Sequence, residues 1–127
     1  MIAIVSTVAG TFAVDLETHD VQPWDGAVTR DVPSLNLPRL VDAASSGSTV
    51  VAVVDAKPPL LVSYDAGATW REAGRGLPAG RAIGIAPDPD VMVYGARNRL
   101  FLSSNGGVFW SSLPVELPEI RELVVSG

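Results

Sequence analysis

The sequence predicts an all-β chain of short antiparallel strands, grouped into four-stranded units that repeat. Three observations carry that prediction. The stretch Ser63-Tyr64-Asp65-Ala66-Gly67-Ala68-Thr69-Trp70 returns forty residues later as Ser103-Ser104-Asn105-Gly106-Gly107-Val108-Phe109-Trp110. The same period spaces three Leu-Pro pairs, at Leu37-Pro38, Leu77-Pro78 and Leu117-Pro118. A fixed period of this size marks a repeat architecture whose unit is one supersecondary element. Finally, short apolar runs such as Leu60-Leu61-Val62, Leu100-Phe101-Leu102 and Thr49 to Val54 stand between turn signals, as strands do.

Composition narrows the class. The 127 residues are 47% hydrophobic and 18% charged, which suits one globular domain and excludes a disordered chain. A net charge of -5 argues against nucleic acid or an anionic membrane as partner. No cysteine is present, so disulfides, thiolate metal sites and a Cys nucleophile are excluded. That fits a reducing compartment, and a cytoplasmic location is expected. The apolar start, residues 1–14, lacks the positive flank of a signal peptide and reads as a buried strand. No run approaches the length of a membrane span.

The repeated stretch works physically as a hairpin clamp. Asp65 accepts hydrogen bonds from the turn's own N–H groups. Gly67 and Gly107 can take positive φ without a Cβ penalty. Trp70 and Trp110 close over their turns and bury their rings. The pattern Ser63-x-Asp65-x-Gly67-x-Thr69-Trp70 resembles the Asp-box, or BNR repeat, of sialidases, sortilin-like receptors and related β-propellers. The second copy, Ser103, Asn105, Gly107 and Trp110, departs from it with Asn for Asp and Phe for Thr. The resemblance covers about two-thirds of the chain. It implies a propeller fold and a structural role for Ser63, Asp65, Gly67 and Trp70 and for Ser103, Asn105, Gly107 and Trp110, since Asp-boxes lie away from the ligand face.

On the propeller frame each blade is an antiparallel meander, A to D from the channel outward. Residues 2–6 and 11–15 read as strands B and C of a first blade, with D somewhere between Val21 and Arg30. The second blade has A at 40–44, B at 49–54, C at 60–64 and D at 69–72. The third has A at 82–86, B at 91–95, C at 99–103 and D at 109–112. A last strand A, 120–125, supplies what the first blade lacks. Twelve strands make three blades: residues 1–38 with 119–127, then 39–78, then 79–118. Three blades cannot surround a channel, so the expected assembly is a six-bladed homodimer, with each C-terminal strand closing the partner's first blade.

Catalytic constellations are scarce. His19 sits with Glu17 and Asp20 in a degenerate hairpin and reads as an exposed turn residue; no metal and no cofactor are expected. Sialidases need a Tyr–Glu pair, but Tyr64 lies inside the clamp and no Glu accompanies Tyr94, so that activity is not carried over. The cations are more informative. Arg39, Lys57, Arg81, Arg97, Arg99 and Arg121, together with Arg75, fall at the end that carries B–C and D–A loops. The acids Glu17, Asp20, Asp65, Asp88 and Asp90 fall at the other. A basic ligand face in an acidic protein predicts a non-enzymatic binding or scaffold module for an anionic small molecule or an acidic protein segment. The alternatives are a glycoside hydrolase or lyase on acidic sugars, using Asp55 or Glu119, and a carbohydrate-binding lectin using Trp24.

Overall fold

The computed structural model describes residues 1–26 and 29–126. It contains strands β1 (Ile2–Thr7), β2 (Gly10–Asp15), β3 (Val21–Pro23), β4 (Leu40–Ser46), β5 (Thr49–Val54), β6 (Leu60–Ser63), β7 (Arg71–Ala73), β8 (Ala82–Ile85), β9 (Met92–Gly95), β10 (Arg99–Ser103), β11 (Ser111–Glu116) and β12 (Ile120–Ser126), and no helix among the described residues. They form three four-stranded antiparallel sheets: β12-β1-β2-β3, β4-β5-β6-β7 and β8-β9-β10-β11. Part of the span expected to hold the fourth strand of the first sheet, residues 27 and 28, lies outside the described residues; the observed strand is β3. The C-terminal strand pairs with β1 of its own chain, from Ile2↔Ser126 to Ser6↔Glu122.

The two clamps hold the turns that the sequence assigns to them. In the first, the Asp65 carboxylate accepts the Thr69 N–H at 2.9 Å, the Thr69 hydroxyl at 2.6 Å and the Ser63 hydroxyl at 2.7 Å. The Gly67 N–H donates to Ser63 Oγ at 2.8 Å, with Gly67 at φ 92°. In the second, Gly107 N–H donates to Ser103 Oγ at 2.9 Å and Phe109 N–H to Asn105 Oδ1 at 3.0 Å. Trp70 stacks beside Gly67 as Trp110 does beside Gly107, and the Trp110 indole N–H donates to Gly107 O at 3.0 Å.

These clamps explain where the outer strands depart from expectation. Residues 69–70 and 109–110 are engaged in closing the turns, so the ladder resumes only at Arg71 and Ser111. β11 runs on to Glu116 and includes Pro114, which an edge strand tolerates because that residue's missing N–H is not needed.

Strand alternation decides how the sheets stack. On the β8–β11 sheet, Ile83, Met92 and Tyr94 join a buried cluster with Val51, Val53, Leu60 and Val62. The alternate residues Ala82, Val93, Leu100, Leu113 and Val115 join Ala3, Val5, Val14 and Leu123. Successive side chains point to opposite faces, so this sheet is the middle layer, covered on both faces. Near-continuous apolar strands are what such a layer requires. The face of β5 turned away from it is not bare either: Val50, Ala52 and Val54 are buried.

The innermost strands meet along β8, which packs against both β4 and β12. Gly84 is needed there. A Cβ at that position would clash with Leu123 Cδ1 and lie 2.9 Å from Val125 Cγ2. Arg30 ties the same three strands together. Its Nη2 donates to both oxygens of Asp42, on β4, at 2.8 and 2.9 Å, and reaches Ala43 O at 3.4 Å and Ile83 O at 3.5 Å. Its Nη1 lies 3.7 Å from Glu122 on β12. The Asp42 carboxylate also accepts the Ile83 N–H at 3.0 Å, which couples β4 to β8 directly.

Candidate functional site

The loops sort to two ends of the stack, and backbone hydrogen bonds show which. In each sheet the loop between its second and third strands bonds to the start of its innermost strand. Asp55 N–H donates to Arg39 O at 2.9 Å, Arg81 N–H to Gly95 O at 2.8 Å and Val8 N–H to Glu119 O at 2.9 Å. At the opposite end the clamps meet the other turns, through Ala66 N–H to Ser48 O at 2.8 Å and Gly106 N–H to Asp90 O at 2.9 Å. Arg39, Lys57, Arg75, Arg81, Arg97, Arg99 and Arg121 therefore share one end. Asp65, Asp88 and Asp90 share the other.

Within the cationic end the residues separate into groups. Leu117 N–H donates to Asn98 O at 3.0 Å and Ile120 N–H to Arg97 O at 2.7 Å, which presses the 117–120 loop against the β9–β10 turn. Arg81 Nη1 then meets Glu119 Oε1 at 2.6 Å, with both side chains roughly two-fifths exposed. The hydrogen bond and charge of Arg81 hold the Glu119 carboxyl below its ordinary value, and Arg97 and Arg121 add to the effect through space. Glu119 is thus ion-paired to Arg81 alone, with Arg97 and Arg121 near enough to act on its charge. Arg97 and Arg121 make no ion pair among the described residues.

Arg99 stands apart, exposed and 3.7 Å from Glu116. Lys57 shares a hollow of about 470 Å³ with Arg75, Pro58, Pro59 and Leu77. Arg39 immediately precedes β4, in a turn, with its backbone in the left-handed region at φ 59°.

No family model, curated protein or solved structure matches the chain.

Of the groups with catalytic chemistry, both tyrosines are engaged in the fold. Tyr94 is fully buried, donates its hydroxyl to Pro78 O at 2.6 Å, and has its pKa pushed up to about 12 by burial. Its ring packs against Phe101 and Trp110, at centroid distances of 6.1 and 6.0 Å. Tyr64 donates to Gly106 O at 2.7 Å and so joins the two clamps. Glu119 is shifted in the direction opposite to that of a proton donor working near neutral pH. Asp55 is exposed in its loop, and His19 occupies a turn with φ 66°. Among the described residues no three His, Cys, Asp or Glu side chains gather as a metal site.

Sequence reasoning missed Arg30. It lies in the β3–β4 connection, residues 24–39, where no strand period points to it. Two signals were present: that connection is twice the length of the β7–β8 connection, residues 74–81, and Asp42 is a lone carboxylate on an innermost strand.

Proposed function

We propose that the chain is a non-enzymatic binding and scaffold module of the Asp-box β-propeller kind, whose cationic end holds an anionic group. That group is the carboxylate or phosphate of a small molecule or of an acidic protein segment. The observation that carries this reading is that seven cations share one end of the stack, where Arg81 is paired with Glu119 while Arg97 and Arg121, which act on the same carboxylate through space, have no ion-pair partner among the described residues. The unpaired arginines offer free guanidinium donors, which make their strongest hydrogen bonds to planar or tetrahedral oxyanions. Glu119 sets the orientation of Arg81, while Arg97 and Arg121 stay free to bind.

On this reading the three sheets are three adjacent blades, with β4, β8 and β12 facing the channel. Two copies make a six-bladed ring. The contact between the β8–β11 sheet and the β1–β3 strands serves equally within one chain or between two chains that exchange those strands about the 24–39 connection. Size-exclusion chromatography with light scattering tests the ring: a single-chain mass at micromolar concentration sinks it.

Calorimetric titration with citrate, and with a poly-glutamate peptide, tests the site. Binding should weaken with added salt and fall about tenfold or more in Arg97→Ala/Arg121→Ala. Asp88→Asn, at the opposite end, should leave it unchanged. Affinity that ignores the arginine substitutions overturns the proposal, and turnover of sialosides or uronides would favour the hydrolase or lyase reading instead.

A further inference from the structure

The two clamps close with the same backbone hydrogen bonds and differ in sequence at five of their eight positions, of which 68/108 and 69/109 matter here. In the first these are Ala68 and Thr69, small or polar. In the second they are Val108 and Phe109. Asn105 Oδ1 still accepts the backbone N–H of residue 109, so the second turn closes with no help from that side chain. Phe109 is 75% exposed and Val108 63%, the two most exposed large apolar side chains among the described residues. Holding them in water contributes nothing to the fold.

Both stand on the rim of a groove of about 700 Å³ between the β4–β7 and β8–β11 sheets, lined by Val62, Phe101 and Trp110. The facing wall is β7 and the connection after it. All three residues of β7 border the groove, as a strand does along its edge rather than its face. β7 is the outermost strand of its sheet, so part of its backbone hydrogen-bonding capacity has no ladder partner. Arg71, Glu72 and Arg75 stand exposed on this wall, and neither arginine makes an ion pair among the described residues.

We propose that this groove docks an extended segment of a partner protein, which pairs with the free edge of β7 and carries an apolar side chain close to a carboxylate. The backbone of the segment extends the β4–β7 sheet by one strand. Its apolar side chain covers Val108, Phe109 and Trp110, aromatic and apolar anchors of the kind that dominate interface energetics. Its carboxylate meets Arg71 or Arg75, which outnumber the one acid of this wall, Glu72, and make no ion pair with it. The site lies on the outer rim and does not depend on the anion site at the loop end.

Peptide phage display on the whole chain, followed by fluorescence anisotropy with the selected peptides, tests the proposal. The key variant is Val108→Ala/Phe109→Thr, which writes the first clamp's own residues into the second and so preserves the turn. The selected peptides should combine an aromatic or aliphatic residue with Asp or Glu. They should lose affinity about tenfold or more in that variant and in Arg75→Glu. The variant should keep the citrate binding of the loop end, so failure of one site does not imply failure of the other. If it melts early, Phe109→Ser alone replaces it. Enrichment of no peptide, enrichment of basic peptides, or affinity indifferent to residues 108 and 109 overturns the proposal. So does a self-associated form that only these substitutions dissociate, or a glycan that competes for the groove.

Discussion

Asp42→Ala should be among the most damaging single substitutions in this chain. The Arg30 and Asp42 side chains are only 13% and 9% exposed. Deleting the carboxylate leaves a guanidinium and the Ile83 N–H facing each other without an acceptor between them. Removing one member of a buried pair costs about 3–5 kcal/mol, and the residual access of water places this case near 3. For a chain of this size that lowers the melting temperature by roughly 10–15 °C. Arg30→Met keeps the apolar stem and leaves Asp42 its Ile83 partner, so it should cost less, about 1–3 kcal/mol. The double variant Arg30→Met/Asp42→Leu should cost less than the two single losses added, with a coupling of about 1–3 kcal/mol. Urea denaturation followed by tryptophan fluorescence measures all three. Equal, additive losses below about 1 kcal/mol would refute the reasoning, because they are what a solvated surface pair gives.

Two further perturbations probe the clamp and the stack. Asp65 is held at about 2, below its ordinary 3.8, first by the Thr69 hydroxyl, then by the Thr69 N–H and the Ser63 hydroxyl. A lowered folded-state value stabilises fully above the unfolded one and is lost as pH falls through the folded one, so thermal melts should show Asp65→Asn with a flatter decline than wild type between pH 3.8 and about 2; identical slopes would sink this. Gly84→Ala should cost about 1–3 kcal/mol, because the new methyl meets Leu123 and Val125 where β12 crosses β8; an unchanged melting temperature would show that the two strands do not approach so closely.

Much of the architecture was legible because it is written locally and then repeated. Each apolar run is its own evidence for a strand, and the forty-residue period assigns that strand its rank within a sheet. The β12–β1 pairing followed from counting: a sheet lacking its innermost strand at one end of the chain, and an innermost strand without a sheet at the other. The run Thr49 to Val54 was placed to the residue. The outer strands were misplaced by two residues at their starts because residues 69–70 and 109–110 suit a strand by propensity but are held by the turn.

What the sequence by itself determined, then, is the number of strands, their order within each sheet, the clamps, and the end of the stack to which each loop belongs. These depend on contacts between near neighbours in the chain, which leave a period. The tertiary structure decided the rest. It placed the β8–β11 sheet in the middle, drew Arg30 out of a featureless connection onto Asp42, paired Arg81 with Glu119, and opened a groove beside Phe109. Each of those depends on which faces meet once the sheets stack. A face that is apolar on both sides says that it is covered and not by what, and a charged side chain finds its partner only when distant segments have already been brought together.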